Sequence, residues 1–200
     1  MNPNLRLQPF GGDWAAILRM ADTVAPQDPA GNREWLANRQ AFEEVANARR
    51  HYEAQDTRTG EMVAYGAIEQ TEQDAYRVFL LPAGDELWET AGVLIYDRLA
   101  ADLTELSAKR AWLREYDTHA ALISFFTVRG FVQDFHTTAF SGPAVAEVEG
   151  GWALGFHASL RGEELWLNVP DHLESGFLSD QRSRGFTRRY GAVRLTKTLV

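Results

Sequence analysis

The 200-residue chain contains no cysteine, which excludes a disulfide framework, a thiolate nucleophile and a cysteine-based zinc site. It has no stretch of about 18 consecutive apolar residues, so no membrane-spanning helix is expected. The opening residues, MNPNLRLQPFGG, lack the charged start and apolar run of a secretion signal, and the chain reads as soluble and cytoplasmic. Positive charge is scarce: 20 Lys and Arg against 28 Asp and Glu leave a net charge of -8. That balance argues against nucleic acid as a partner, because nucleic-acid binding rests on neutralising phosphates. The charge is uneven, since residues 161–200 carry seven basic and five acidic side chains and the acidic excess lies before them. No Gly-x-Ser-x-Gly elbow is present. The histidines at His51, His136, His157 and His172 are scattered, no helical i,i+4 ligand pair implies a third, and no metal site is expected.

What is present is a core. Hydrophobic residues make up 45% of the chain and aromatics 12%, enough for a packed domain. Leu5, Leu7 and Phe10 suit a first strand, and Asp13 stands where it would cap a helix bearing Trp14, Ile17, Leu18 and Ala21. A Pro/Gly loop follows. From Asn32 a second helix would place Trp35, Phe42, Val45 and Ala46 near one face, with Asn38 as a polar break. Runs from Arg50 to Gln55 and from Met62 to Glu69, joined through Thr59-Gly60, predict a hairpin, and AYRVFLL a third strand beside it. The stretch FLLPAGDELWETAGVLIYDRLAADL, Phe79 to Leu103, predicts a buried strand, a turn and a long amphipathic helix. Val93, Tyr96, Ala100, Leu103 and Leu106 keep helical spacing over about four turns. AWLREY predicts a strand, DTHAALISFFTVRG a helix closed by Gly130, and FVQDFHTTAF another strand.

Beyond Gly142 the sequence echoes itself. LWLNVPDHLESGFLSDQRSRGFTRRYGAVRL follows AWLREYDTHAALISFFTVRGFVQDFHTTAF in pattern, with Trp166 answering Trp112, and Arg184-Gly185-Phe186 answering Arg129-Gly130-Phe131. A strand–helix–strand unit occurring twice is one reading, and the ordinary recurrence of such elements in α/β proteins is the other. The first reading divides the chain into a domain of residues 1–140 and a partial repeat, 141–200, packed on it. Apolar strands at LWLNVP and GAVRLTKTLV place that tail in the same folded unit.

The order of elements, the long helix leaving FLLP, and ALISFFTVRGF running into Gly-Phe resemble the GNAT family of acetyl-CoA-dependent N-acyltransferases over roughly residues 4–140. The resemblance implies an α/β fold with a mixed, mostly antiparallel sheet flanked by helices, here carrying the C-terminal partial repeat. It implies that YRVFLL and AWLREY splay apart to admit the pantetheine arm of acetyl-CoA, with Leu80, Leu81, Ala91, Gly92 and Phe126 as cofactor contacts. The family's pyrophosphate motif begins with Arg or Gln and continues with glycines that let backbone N–H groups approach the phosphates. Here Glu86 takes the basic position and Glu89 that of the first glycine, and only Ala91 fits. Anions about 6 Å apart repel by roughly 1–3 kcal/mol between surface and bulk-water dielectrics. An equally simple reading is that Asp85, Glu86 and Glu89 stabilise the helix N-terminus.

The usual proton donor of the family, a tyrosine on the last helix, corresponds to Phe126, which has no proton to give. Tyr116 and His119 are the nearest candidates for the general acid, and Glu69 heads the candidate bases, with Glu115 and Asp117 beside Tyr116. The basic tail, including Arg182, Arg184, Arg188, Arg189, Arg194 and Lys197, either reaches back to the phosphates or forms the solvated face of an edge strand. The leading expectation is acyl transfer from coenzyme A to a small amine. A non-catalytic GNAT-like module that binds coenzyme A weakly or not at all is the second reading, and a homodimer completed by residues 141–200 is the third.

Overall fold

The computed structural model describes residues 4–24, 32–33, 36–37, 40, 50–143, 157–161, 164–171 and 185–199. The chain opens with β1 (Leu5–Pro9) and α1 (Trp14–Val24). Asp13 Oδ1 accepts a hydrogen bond from the Ala16 N–H at 2.9 Å, the N-terminal cap that its residue type leads one to expect. Asn32, Arg33, Leu36, Ala37 and Gln40 are helical. Trp35, Asn38, Phe42, Val45 and Ala46 of the expected stripe lie outside the described residues. Leu36, which that stripe omits, packs with Ile17, Met20 and Tyr65.

The hairpin is β2 (Arg50–Asp56) and β3 (Met62–Glu72), followed by β4 (Ala75–Pro82). A 3-10 turn over Asp85–Leu87 and a π turn over Trp88–Gly92 lead into α2 (Val93–Glu105). Then come β5 (Arg110–Tyr116), α3 (Ala120–Thr127) and β6 (Val132–Pro143). The described tail holds β7 (His157–Arg161), β8 (Glu164–Pro170) and β9 (Thr187–Thr198). Among the described residues nine strands form one sheet in the order β1-β2-β3-β4-β5-β9-β6-β8-β7. Every neighbouring pair is antiparallel except β4 and β5. The architecture is the expected α/β one, a mixed and mostly antiparallel sheet flanked by helices.

The tail differs from the sequence reading in two ways. β7 is a strand that the apolar pattern does not signal. β9 is an interior strand, paired with β5 from Arg110↔Thr198 to Tyr116↔Ala192 and with β6 on its other side, so its basic residues do not guard an edge. Residue 140 falls inside β6. The helix that a second strand–helix–strand unit requires would occupy residues 172–184, outside the described residues.

Alternation along the strands sends side chains to two cores. On one face Ala64, Ile68, Val78, Leu80, Leu113, Val193 and Leu195 pack under α2 and α3, through Ile95, Leu99, Leu122, Phe125 and Phe126. On the other, Tyr65, Ala67, Phe79 and Leu81 pack under α1 through Ile17 and Met20. Asp102 is fully buried on α2 and is satisfied by Tyr52 Oη–H at 2.8 Å, Arg50 Nη1 at 3.1 Å and Arg98 Nη2 at 2.7 Å. A buried carboxylate is tolerated when charged and hydrogen-bonded partners replace water in this way.

Gly66 of β3 lets α2 lie down on the sheet, because a Cβ there would stand 2.3 Å from Ile95 Cγ2 and 3.2 Å from Leu99 Cδ1. Both side chains are buried and have no free space to retreat into. Gly66→Ala is therefore expected to cost about 1–3 kcal/mol. An unchanged urea midpoint would show that the helix shifts freely.

Where β5, β9 and β6 meet, Gly191 makes room for a second polar cluster. A Cβ on Gly191 would stand 1.9 Å from Asp117 Oδ2 and 2.8 Å from His136 Nε2. His136 Nδ1 lies 2.5 Å from Asp171 Oδ1, and its Nε2 lies 3.3 Å from Asp117 Oδ2, which Arg188 also approaches at 3.6 Å. Partial burial lowers the His136 pKa, but the hydrogen bonds and charges of the two aspartates outweigh burial and hold it above the ordinary 6.5. A raised pKa means that the fold stabilises the protonated ring. The contribution is complete below about pH 6.5 and fades as pH rises through the higher folded-state value. Chemical denaturation of wild type and His136→Gln across pH 5 to 9 should show the stability gap narrowing as pH rises; a gap independent of pH would refute the bridge.

Candidate active site

The centre of the sheet opens at one place. β4 and β5 pair only at Ala75↔Arg110, Tyr76↔Ala111 and Arg77↔Trp112. Beyond Arg77 and Trp112 the two strands are no longer ladder partners, although Val78–Pro82 stays paired to β3 and Leu113–Tyr116 to β9. Their facing backbone edges are thus left unpaired by each other in mid-sheet, where an extended ligand arm could complete the ladder. Leu80, an expected cofactor contact, lies past the parting point on the helix-bearing face, and Leu81 lies past it on the opposite face with Phe79.

The face away from α2 and α3 carries Trp112, Arg114 and Tyr116 on alternate residues of β5. Arg77 lies over the rings of Phe79 at 4.4 Å and Trp112 at 5.3 Å, bridging the point of parting. Glu69 stands across the ladder from Arg77. Tyr116 meets Tyr190 edge to face, with centroids 4.7 Å apart. Arg114 Nη2 donates to Thr137 Oγ1 and Asn168 Oδ1, each at 3.1 Å. Tyr116, Glu69 and the parting of the strands thus share one face, and Arg114 joins them there as a residue the sequence reading missed. The signal for it was present in the alternation Trp-x-Arg-x-Tyr.

The helix-bearing face holds the remaining expected site residues. His119 takes the N-cap position of α3, and its ring is nine-tenths buried. Nε2 is 3.8 Å from Asp85 Oδ1 and Nδ1 is 3.9 Å from Glu115 Oε1, both beyond hydrogen-bond length. Nδ1 is buried and has no hydrogen-bond partner among the described residues. Because Glu115 and Tyr116 alternate across β5, His119 and Tyr116 sit on opposite sides of the sheet. Phe126 is fully buried against Tyr96, Phe125 and Phe131, so its contact with any cofactor requires α2 and α3 to separate.

Ala91 and Gly92 are buried in the π turn under Trp88, whose ring stands 3.3 Å from where a Gly92 Cβ would be. Trp88 packs on Phe125 at 5.0 Å, and Arg129 stacks on the same ring at 3.5 Å. Burial raises the Tyr96 phenol above its ordinary pKa of 10.0, against a smaller opposing effect from Arg129. Asp85, Glu86 and Glu89 are exposed at the start of this segment. The Glu86 carboxylate folds back over Gly84, within 2.6 Å of the place a Cβ would take. The Leu87 N–H is already bonded to the Gly84 carbonyl at 3.1 Å.

The described basic residues of the tail do not reach this segment: Arg188 faces Asp117, Arg189 faces Glu164, Arg194 faces Asp134, and Lys197 donates to the Arg129 carbonyl. Arg182 and Arg184 lie outside the described residues. Among the described residues no helix is long and apolar enough to cross a membrane.

No family model and no curated protein matches the sequence. Solved structures do. A GCN5-related N-acetyltransferase from Sphaerobacter thermophilus aligns over 99% of this chain and 96% of its own, with a TM-score of 0.68 and 10% identity. The ribosomal-protein-S18-alanine N-acetyltransferase from Escherichia coli aligns over 97% and 93%, with a TM-score of 0.55 and 13% identity. The protein yncA from Salmonella typhimurium, assigned as an acetyltransferase and solved with its cofactor acetyl-CoA, aligns over 84% and 92%, with a TM-score of 0.52 and 12% identity. At such identities the likeness is one of fold, and the fold of this chain, with its parted central strands, is GNAT-like.

Proposed function

We propose that this protein is an N-acyltransferase that moves an acetyl or other acyl group from a coenzyme A thioester to a small amine. The observation that carries the reading is the parting of β4 and β5 after three ladder pairs, a backbone slot at mid-sheet with polar side chains on one face. The acetyl-CoA bound to yncA supports the choice of donor. The slot suits the pantetheine arm, whose amides can pair with the free edge of Val78–Pro82. The segment Asp85–Glu89 suits the pyrophosphate poorly on this reading, since it carries three exposed carboxylates, of which, among the described residues, only Glu89 has an arginine, Arg129, within 3.9 Å. The donor is therefore held chiefly by its arm.

When bound, the thioester supplies an acyl carbon and a sulfur that departs as the new carbon–nitrogen bond forms. The chain supplies position and protons. Tyr116, at the open end of the slot, would protonate the departing sulfur, while Glu69, on the same face but level with the last ladder pair of β4 and β5, would take the amine's proton through water. His119 is the alternative acid, reaching the donor from the helix-bearing face. The carboxylates favour one competing reading, a non-catalytic module built on this fold.

Thermal-shift titration separates the two. Ligand at about 100 times its dissociation constant stabilises by roughly 2.7 kcal/mol, several degrees for a domain of this size. Submillimolar acetyl-CoA should shift wild type little and Glu86→Arg/Glu89→Gly clearly more, whereas S-acetylpantetheine should bind both proteins alike. Micromolar binding of acetyl-CoA by wild type would show that the acids do not oppose it. Failure of both donors to acylate any amine would leave the module reading.

For turnover, Tyr116→Phe is expected to lower kcat by roughly 10²–10⁴, the ordinary worth of a positioned proton donor. His119→Ala should have a smaller effect. The reverse order would move the acid to the helix-bearing face, and near-wild-type rates in both variants would remove both candidates.

A further inference from the structure

The arginines of β5 and β9 are matched with carboxylates, with one exception. Arg110 pairs with Glu72, Arg188 with Asp117, Arg189 with Glu164, and Arg194 with both oxygens of Asp134. Arg114, in the middle of β5, has only the neutral oxygens of Thr137 and Asn168, and both bonds come from Nη2. Its Nε and Nη1 hydrogens have no acceptor among the described residues. Arg114 keeps exposed surface, yet surrounding protein desolvates it enough to lower its pKa below the ordinary arginine value, with smaller opposing effects from Tyr190 and Tyr116. Aromatic rings flank it on the same face of the sheet: Tyr116 meets Tyr190 edge to face, and Trp166 lies 6.0 Å from Tyr190.

We infer that Arg114 is a specificity-determining residue that binds a carboxylate on the acceptor, so that the small amine is an amino acid or a closely related amino-carboxylate. The inference rests on the acyl-transfer reading for the direction of approach, because a donor arm entering beside α2 and α3 leaves the Arg114 face to the acceptor. Two free N–H directions on a planar fork match one carboxylate bidentately. A single uncompensated positive charge suits a monoanion better than a phosphate dianion. Spacing agrees as well. Residues two apart on a strand are about 7 Å apart, so a carboxylate on Arg114 leaves the amine of an α-, β- or γ-amino acid between Arg114 and Tyr116, beside the strand parting.

The test uses the full chain and matched pairs that differ only in the carboxylate. Each common amino acid is titrated by calorimetry at millimolar concentration, and phenylalanine and leucine are compared with phenethylamine and isopentylamine. The acidic protein attracts the decarboxylated cations in general, so any preference for the amino acid opposes the overall field. Wild type should bind at least one amino acid, and favour it over its decarboxylated partner by at least about tenfold, equivalent to about 1.4 kcal/mol. Arg114→Gln should abolish the preference while leaving the melting temperature within a few degrees, and Arg114→Lys should keep part of it.

In acetyl-transfer assays the Gln variant should raise KM for the amino acid and leave kcat little changed. Carboxylate-dependent binding without any transfer would sink the acyl-transfer reading and leave the anion subsite standing. Transfer to amines regardless of a carboxylate would do the opposite. No amino acid bound, equal binding within the pairs, or a preference that survives Arg114→Gln would each overturn the inference.

Discussion

The structure depends on the last strand of the chain lying in the middle of the sheet. β9 pairs with β5 along the whole of β5 and with β6 from Val132↔Thr196 to Ser141↔Thr187. Without it, β5 would keep three ladder pairs with β4, and β6, β8 and β7 would form a separate sheet. A strand held by three pairs on one side and nothing on the other is not independently stable. β9 thereby replaces on one edge of β5 the hydrogen bonds that the parting from β4 gives up on the other. The open slot at the centre of the molecule is affordable only because the opposite edge is fully paired.

The same arrangement explains how the charges are distributed. The carboxylates that meet Arg188, Arg189 and Arg194 of the interior strand β9 come from the end of β5, from β8 and from β6. Gly191 leaves space at the joint for His136 between Asp117 and Asp171. The three arginine pairs tie β9 to the end of β5, to β8 and to β6, and the His136 contacts tie β6 to the ends of β5 and β8. Polar contacts at the strand ends thus select the register that the apolar residues Val193 and Leu195, facing α2 and α3, require.

Much of the architecture was legible because it is local. The caps and spacing of α1, the Thr59-Gly60 hairpin, the long amphipathic helix and Gly130 each follow from residues within a few positions of one another. What was not legible is nonlocal. Nothing in GAVRLTKTLV distinguishes an edge strand from an interior one, since its place is decided by partners 53 to 88 residues earlier in the chain, from Gly191↔Thr138 to Thr198↔Arg110. The 3-10 and π turns replacing a simple helix start arise where Trp88 must reach Phe125, a contact that periodicity does not encode. Tyr116 and Glu69 were singled out from expected strand ends, although β3 runs on past Glu69 to Glu72, and Arg114 was not, because its isolation from carboxylates emerges only when β6 and β8 bring Thr137 and Asn168 to it. His136 looked scattered for the same reason: its partners lie 19 and 35 residues away.

On the proposed reading the two sides of the slot differ in charge, in the opposite sense to what a polyanionic donor would favour. Asp85, Glu86 and Glu89 stand exposed at the start of the segment leading to α2, with Arg129 3.9 Å from Glu89, while the one arginine of β5 and β9 without a carboxylate among the described residues stands on the opposite face. Repulsion from exposed carboxylates is modest and screened by salt, so it weakens the hold on a pyrophosphate without forbidding a neutral pantetheine arm. The Arg114 guanidinium keeps exposed surface but is partly desolvated by its neighbours, so its charge is screened less than that of a fully solvated group. If the proposed acyl transfer holds, selectivity would come from the acceptor side, and the donor would be held through the backbone of β4, which carries no charge and follows from the parting of the strands.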